Sequence, residues 1–147
     1  MYLEQKREET HQPSVPIFGY EMLRDILIPD ILGKHTPDIL YWGGKQLARK
    51  FPLQSMEEIS SFFNEAGWGT LTLLEQKRNE MTFELNGPVI ERRLSLKTDV
   101  NFKLETGFIA EQVQLQRKCV AEAADELHKR SQSVKVVVRW DDKDRIE

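Results

Sequence analysis

The sequence predicts an α+β domain in which amphipathic helices pack on a largely antiparallel, twisted sheet of about three to four strands. Three observations carry this expectation. Met81, Phe83 and Leu85 alternate with Thr82 and Glu84, and Val134, Val136, Val138 and Trp140 alternate with Lys135 and Arg139. That period of two marks strands buried on one face. Ahead of them, three stretches with apolar residues three and four apart carry helix start and stop signals. The length of 147 residues suits one domain, and such a chain buries roughly 70% of its unfolded surface, so one core suffices.

In chain order, residues 1–17 are charged, hold Pro13 and Pro16 and lack periodicity. They read as a flexible arm before a single domain over residues 18–140, with a polar tail over 141–147. Helix one takes its apolar face from Phe18, Met22 and Ile26, flanked by Leu23 and Leu27, and is expected to end near Ile28 because Pro29 removes a backbone donor. Helix two is expected from Thr36, as a cap, with Pro37 and Asp38 in its first turn, to about Lys50. Helix three opens on a capping box of Ser55 and Glu58 and stops at Gly67. Strands over Trp68–Glu75 and Met81–Leu85 flank the loop Gln76–Asn79. The alternation of Ile90, Arg92, Leu94 and Leu96 reads as a third strand, although Val89, Ile90, Arg93 and Leu94 also suit a helical turn. Residues 102–130 read as helix four, with Ile109, Val113, Val120, Ala123 and Leu127 along one stripe.

Twenty-one Lys plus Arg against 24 Asp plus Glu give a net charge of −3 with the signs interspersed. That argues against nucleic-acid binding, which is driven by concentrated positive charge. The first ten residues lack a basic segment followed by an apolar run, so no targeting peptide is expected. No apolar run reaches the roughly 18 to 20 residues of a membrane span. Cytoplasm is the expected compartment, without membrane insertion. One cysteine, Cys119, cannot form an internal disulfide, and among the basic residues of helix four it reads as a buried small side chain.

No catalytic constellation emerges. His11, His35 and His128 are dispersed, so neither metal nor cofactor is expected. Gly43, Gly44 and Lys45 lie inside helix two and not between a strand and a helix, which excludes a phosphate loop. Three places do break local propensity: Trp42-Gly43-Gly44, Gly67-Trp68-Gly69 and Gly107-Phe108. Close packing is the plainer account of each. The sharper one makes Trp42, Gly43, Gly44, Trp68, Gly107 and Phe108 a ligand-binding set, forming either a pocket or a contact between copies.

These same stretches, Tyr41-Trp42-Gly43-Gly44-Lys45, Ala66-Gly67-Trp68-Gly69 and Thr106-Gly107-Phe108-Ile109-Ala110, resemble the YslB-like family of bacterial proteins. More distantly the chain is similar to the fold of vinyl-reductase-type small-molecule-binding domains, TRAPP tethering subunits and heme nitric-oxide sensors. That likeness implies helices on an antiparallel sheet around an apolar cavity, and pairing through helices. The Tyr-x-Ser-x-Arg clamp of the heme sensors is missing, so heme is not expected. The acylated cysteine of some TRAPP relatives has no counterpart, since Gly43 and Gly44 occupy that helix and Cys119 lies elsewhere. The expected function is a non-catalytic binding or scaffold domain with an apolar small-molecule pocket, a dimer surface or both. The alternative is a small enzyme acting on an apolar substrate. A homodimer is also expected, because Tyr20, Met22, Leu23, Tyr41, Trp42, Phe62 and Phe63 exceed what one sheet face can cover.

Overall fold

Four strands form one antiparallel sheet in the computed structural model, which describes residues 13–96 and 98–146. They are β1 (Thr70–Lys77), β2 (Glu80–Asn86), β3 (Cys119–His128) and β4 (Ser133–Arg145), in the order β1-β2-β4-β3. Register puts like with like on the inner face: Met81 opposes Val138, Phe83 opposes Val136 and Leu85 opposes both Val134 and Leu71. These cross-strand apolar pairs form the floor of the core. Residues 1–12, including most of the expected arm and His11, lie outside the described residues.

Helices cover that floor in two tiers. The inner one, α6 (Lys103–Arg117), is buried without interruption from Glu105 to Val113. It lies between the sheet and α3 (Thr36–Lys50). Because α6 is enclosed on every side, its polar residues must find internal partners. Gln112 does so by accepting from the Leu53 backbone N–H at 3.0 Å and donating to the Phe51 carbonyl at 2.9 Å. α4 (Met56–Ala66) flanks β1 as expected: the Ser55 hydroxyl accepts from the Glu58 N–H, and Gly67 ends the helix in the left-handed conformation. No helix among the described residues is long and apolar enough to cross a membrane.

The structure corrects four expectations. Pro88–Leu94 is a helix, α5, and not a third strand. Pro88 fits its first turn, and helical spacing turns Ile90, Arg93 and Leu94 inward, whereas strand spacing would have turned Arg92 inward. Helix four ends at Arg117, because Lys118 adopts φ 57° and β3 begins at Cys119. The Ala and Glu content there favours a helix in isolation, but pairing along β4 overrides it. β4 then runs to Arg145, through residues read as a polar tail. His35 and not Thr36 stands at the cap position of α3, and the Thr36 hydroxyl instead donates to the Gly33 carbonyl at 2.6 Å.

A fifth correction concerns the N-terminal helix. It does not end at Ile28 but continues as α1 (Ile17–Glu21), a π-helical stretch (Met22–Leu27) and α2 (Ile28–Leu32). The Ile28 N–H reaches back to the Leu23 carbonyl, and the wide turn lets Pro29 enter as a first-turn residue of α2.

Candidate functional site

The six residues singled out from sequence separate into two internal groups and one surface residue. Gly44 and Gly107 meet where α3 crosses α6. A Cβ on Gly44 would stand 2.1 Å from the Leu104 carbonyl oxygen, and one on Gly107 would stand 2.0 Å from that of Tyr41. The two backbones touch only because both positions lack a side chain. Gly43 is looser, its nearest neighbour being Leu104 Cδ1 at 3.8 Å.

Trp68 and Phe108 belong to an aromatic cluster within the core. Their rings stand perpendicular at 5.3 Å, Phe62 stacks on Phe108 at 4.6 Å, and Phe63 meets Trp68 edge-on at 5.1 Å. Such geometries suit the ring quadrupoles. Trp42 belongs to neither group and is 61% exposed. Clefts of about 420, 370 and 210 Å³ open elsewhere and are lined by none of the six.

A second site carries more chemistry and was not anticipated. Glu21, Arg24 and Asp25 of the N-terminal helix are buried, together with Arg93 of α5 and Glu105 of α6. Arg24 holds Glu105 with two bonds, Nη2 to Oε1 at 2.6 Å and Nη1 to Oε2 at 3.1 Å. Arg93 holds Asp25 likewise, Nη2 to Oδ1 at 2.7 Å and Nε to Oδ2 at 3.0 Å, and its Nη1 reaches Glu105 at 3.3 Å. Both guanidiniums donate to the Asn101 carbonyl, and Arg93 lies 4.3 Å from the centre of the Phe102 ring. Two cations and two anions leave this core neutral. Arg92 and Glu21 add a pair at its edge, at 2.6 Å.

Burial alone would raise the Glu105 carboxyl. The Arg24 and Arg93 charges, with the Arg24 hydrogen bond, overcome that and hold it below its ordinary value of 4.5. A depressed carboxylate stabilises the fold fully above its unfolded value and ceases to do so as pH falls through the folded one. The stability that Glu105 contributes is therefore expected to decline along an acid limb that begins below about pH 4.5. Glu105→Gln should flatten that acid limb in a circular-dichroism titration, and an unchanged slope would refute the assignment.

Burying the charged side of the N-terminal helix turns its apolar side outward. Phe18, Met22, Leu23, Ile26, Leu27 and Ile31 are all exposed, Leu23 at 59% and Ile31 at 69%. Sequence reasoning found the stripe and counted Met22 and Leu23 among an apolar surplus, but it did not foresee that the whole face turns outward. The missed signal is the triplet Glu21, Arg24 and Asp25, which shares one face at helical spacing and looks like any solvated face until Arg93 and Glu105 are placed opposite it.

Comparison with known proteins fits this architecture. Residues 17–139 match the model of a protein family of unknown function, DUF2507. The chain belongs to the DUF2507 family. The uncharacterized protein YslB of Bacillus subtilis (strain 168) is 49% identical to this DUF2507 chain over 129 residues, spanning 88% of this chain and 87% of that protein. A vinyl-4-reductase family protein from Methanocaldococcus jannaschii superposes with a TM-score of 0.67 at 17% identity, covering 96% of this chain and 93% of that one. An Fe(II) unliganded H-NOX protein mutant from K. algicida gives 0.53 at 12% identity, covering 95% and 85%. At such identities the likeness shows a shared fold.

Proposed function

We propose that this DUF2507 chain is a non-catalytic binding and scaffold domain that works through the apolar face of its N-terminal helix, and that a second copy of the chain occupies that face. The inverted polarity of the helix carries the reading. Between Val15 and Ile31 the exposed side chains include six large apolar residues of the helix itself and one charge, Asp30, because Glu21, Arg24 and Asp25 are turned inward. A contiguous apolar face of this kind marks an interaction site. Nearly free of charge, it meets its own copy across a two-fold axis without like-charge repulsion. A membrane surface suits it less well, since helices that lie in lipid keep Lys and Arg on a solvated polar face. Here that face is internal and paired. The folds of the vinyl-4-reductase family protein and the H-NOX protein support the broader class of a binding domain.

Light scattering at micromolar concentration is expected to return twice the 17.2 kDa chain mass. The double variant Leu23→Asp, Ile26→Asp is expected to return the single chain with its far-ultraviolet circular-dichroism spectrum retained, because both side chains are exposed on the single chain. A wild-type mass of 17.2 kDa, or a double variant that still pairs, would overturn the dimer.

A further inference from the structure

A cleft of about 420 Å³ opens where the C-terminal end of α6 meets the ends of β3 and β4. That volume lies within the roughly 300–1,000 Å³ of small-molecule sites. Two guanidiniums line it, those of Arg117 and Arg145. Among the described residues neither has a carboxylate within ion-pair distance. Both are nevertheless held in place. The Arg117 guanidinium lies 4.5 Å from the centre of the Trp140 ring, and Arg145 Nη1 lies 3.7 Å from the Cys119 sulfur. The extension of β4 brings Arg145 there by pairing it with Cys119, and the Ile146 N–H fastens the strand end to the Lys118 carbonyl at 2.9 Å.

The rest of the lining decides the ligand class. Met56, with the buried Met81 and Val113, supplies an apolar part, and Gln54, Gln76 and Gln116 supply amides. Asp142 also lines the cleft, but its carboxylate accepts from the Trp140 indole N–H at 3.2 Å and stands 3.7 Å from Arg78. Two cations without carboxylate partners among the described residues thus remain beside a lining that is part apolar and part amide. A guanidinium presents paired donors that match a planar carboxylate. We propose that this cleft binds a small organic carboxylate, with Arg117 and Arg145 taking the carboxylate and Met56 and Met81 receiving its apolar tail. The assignment is independent of the dimer face, which uses other residues.

The test is a titration of the ¹⁵N-labelled full chain with hexanoate, with hexanol and inorganic phosphate as separate arms. Hexanoate is expected to shift the amides of Arg117, Cys119 and Arg145 saturably, hexanol to leave them unmoved, and phosphate to bind more weakly. Arg117→Gln and Arg145→Gln should each weaken hexanoate binding about tenfold or more, the usual effect of losing a hydrogen bond to a charged group. The variant Leu23→Asp, Ile26→Asp should titrate as the wild type does. Absence of saturable shifts at those amides, unchanged affinity in the doubly substituted arginine variant, or phosphate binding as tightly as hexanoate would overturn the proposal.

Discussion

Replacing Glu105 with alanine is expected to destabilise the fold by about 3–5 kcal/mol, the range for removing one partner from a buried ion pair. The cost follows from what stays behind. Arg24 and Arg93 would then share Asp25, so one positive charge would lack compensation in a region closed to water. Among the described residues Arg24 Nε already has no hydrogen-bond partner, which leaves that guanidinium little capacity to absorb a further loss. Urea denaturation measures the effect, and hydrogen exchange across residues 17–32 locates it, since Arg24 and Asp25 fasten the N-terminal helix to α5 and α6. A cost under about 1 kcal/mol, typical of a solvated surface pair, would show that water reaches the cluster and would refute its role as a clamp.

The same cluster explains why the helix points its apolar side outward. An isolated amphipathic helix on a domain surface gains most by burying its apolar stripe. That orientation would expose Arg24 and Asp25 and strip the buried Arg93 of its two bonds to Asp25 and the buried Glu105 of its two bonds from Arg24. Four charged groups with their hydrogen bonds made outweigh the apolar stripe, because each buried donor or acceptor left unsatisfied costs about 1–3 kcal/mol, and more on a charged group. The π-helical turn lies over the residues whose angular placement matters most, Arg24 and Asp25. Wide turns of this kind are frequent at functional positions in helices. Orientation is the link to the proposed function: the ion pairs hold the helix, and the helix presents the apolar surface on which the proposed pairing rests.

Elements whose local signals agreed with their packing were legible in the sequence. α3, α4, β2 and the start of β4 combined a consistent period with clear start or stop residues, and each emerged within a residue or two of expectation. Where tertiary contacts decide, local reasoning failed. β3 is Ala- and Glu-rich and becomes a strand only because β4 supplies its hydrogen bonds. In α5 the spacing of Val89, Ile90, Arg93 and Leu94 competed with a strand alternation, and the helix is favoured where Arg93 reaches Asp25 and Glu105, carboxylates 68 and 12 positions away along the chain. No window of neighbouring residues contains that requirement. The glycine and aromatic positions were recognisable as exceptions to propensity, but sequence could not tell a ligand's approach from a helix's approach.

Substitution at the glycines makes that last distinction measurable. Alanine at Gly107 or Gly44 places a methyl 2.0 or 2.1 Å from a carbonyl oxygen of the facing helix, and at Gly44 a second contact follows, 2.7 Å from the Phe108 nitrogen. Backbone atoms cannot turn aside as a flexible side chain would, so α3 and α6 must separate. Overpacking of this kind costs about 1–3 kcal/mol, and rigid shifts of a central helix fall at or above the upper end. The better helix propensity of alanine returns only about 1 kcal/mol. Gly43 provides the internal control: its methyl would meet Leu104 Cδ1 at 3.8 Å, an ordinary contact. Gly43→Ala is therefore expected to be neutral or to stabilise by up to about 1 kcal/mol, while Gly44→Ala and Gly107→Ala melt earlier. Because both clashes push the same two helices apart, the double variant should cost less than the sum of the singles. A Gly44→Ala protein that melts at or above the wild-type temperature would show that the crossing has room to spare, and would return these glycines to the wall of a cavity.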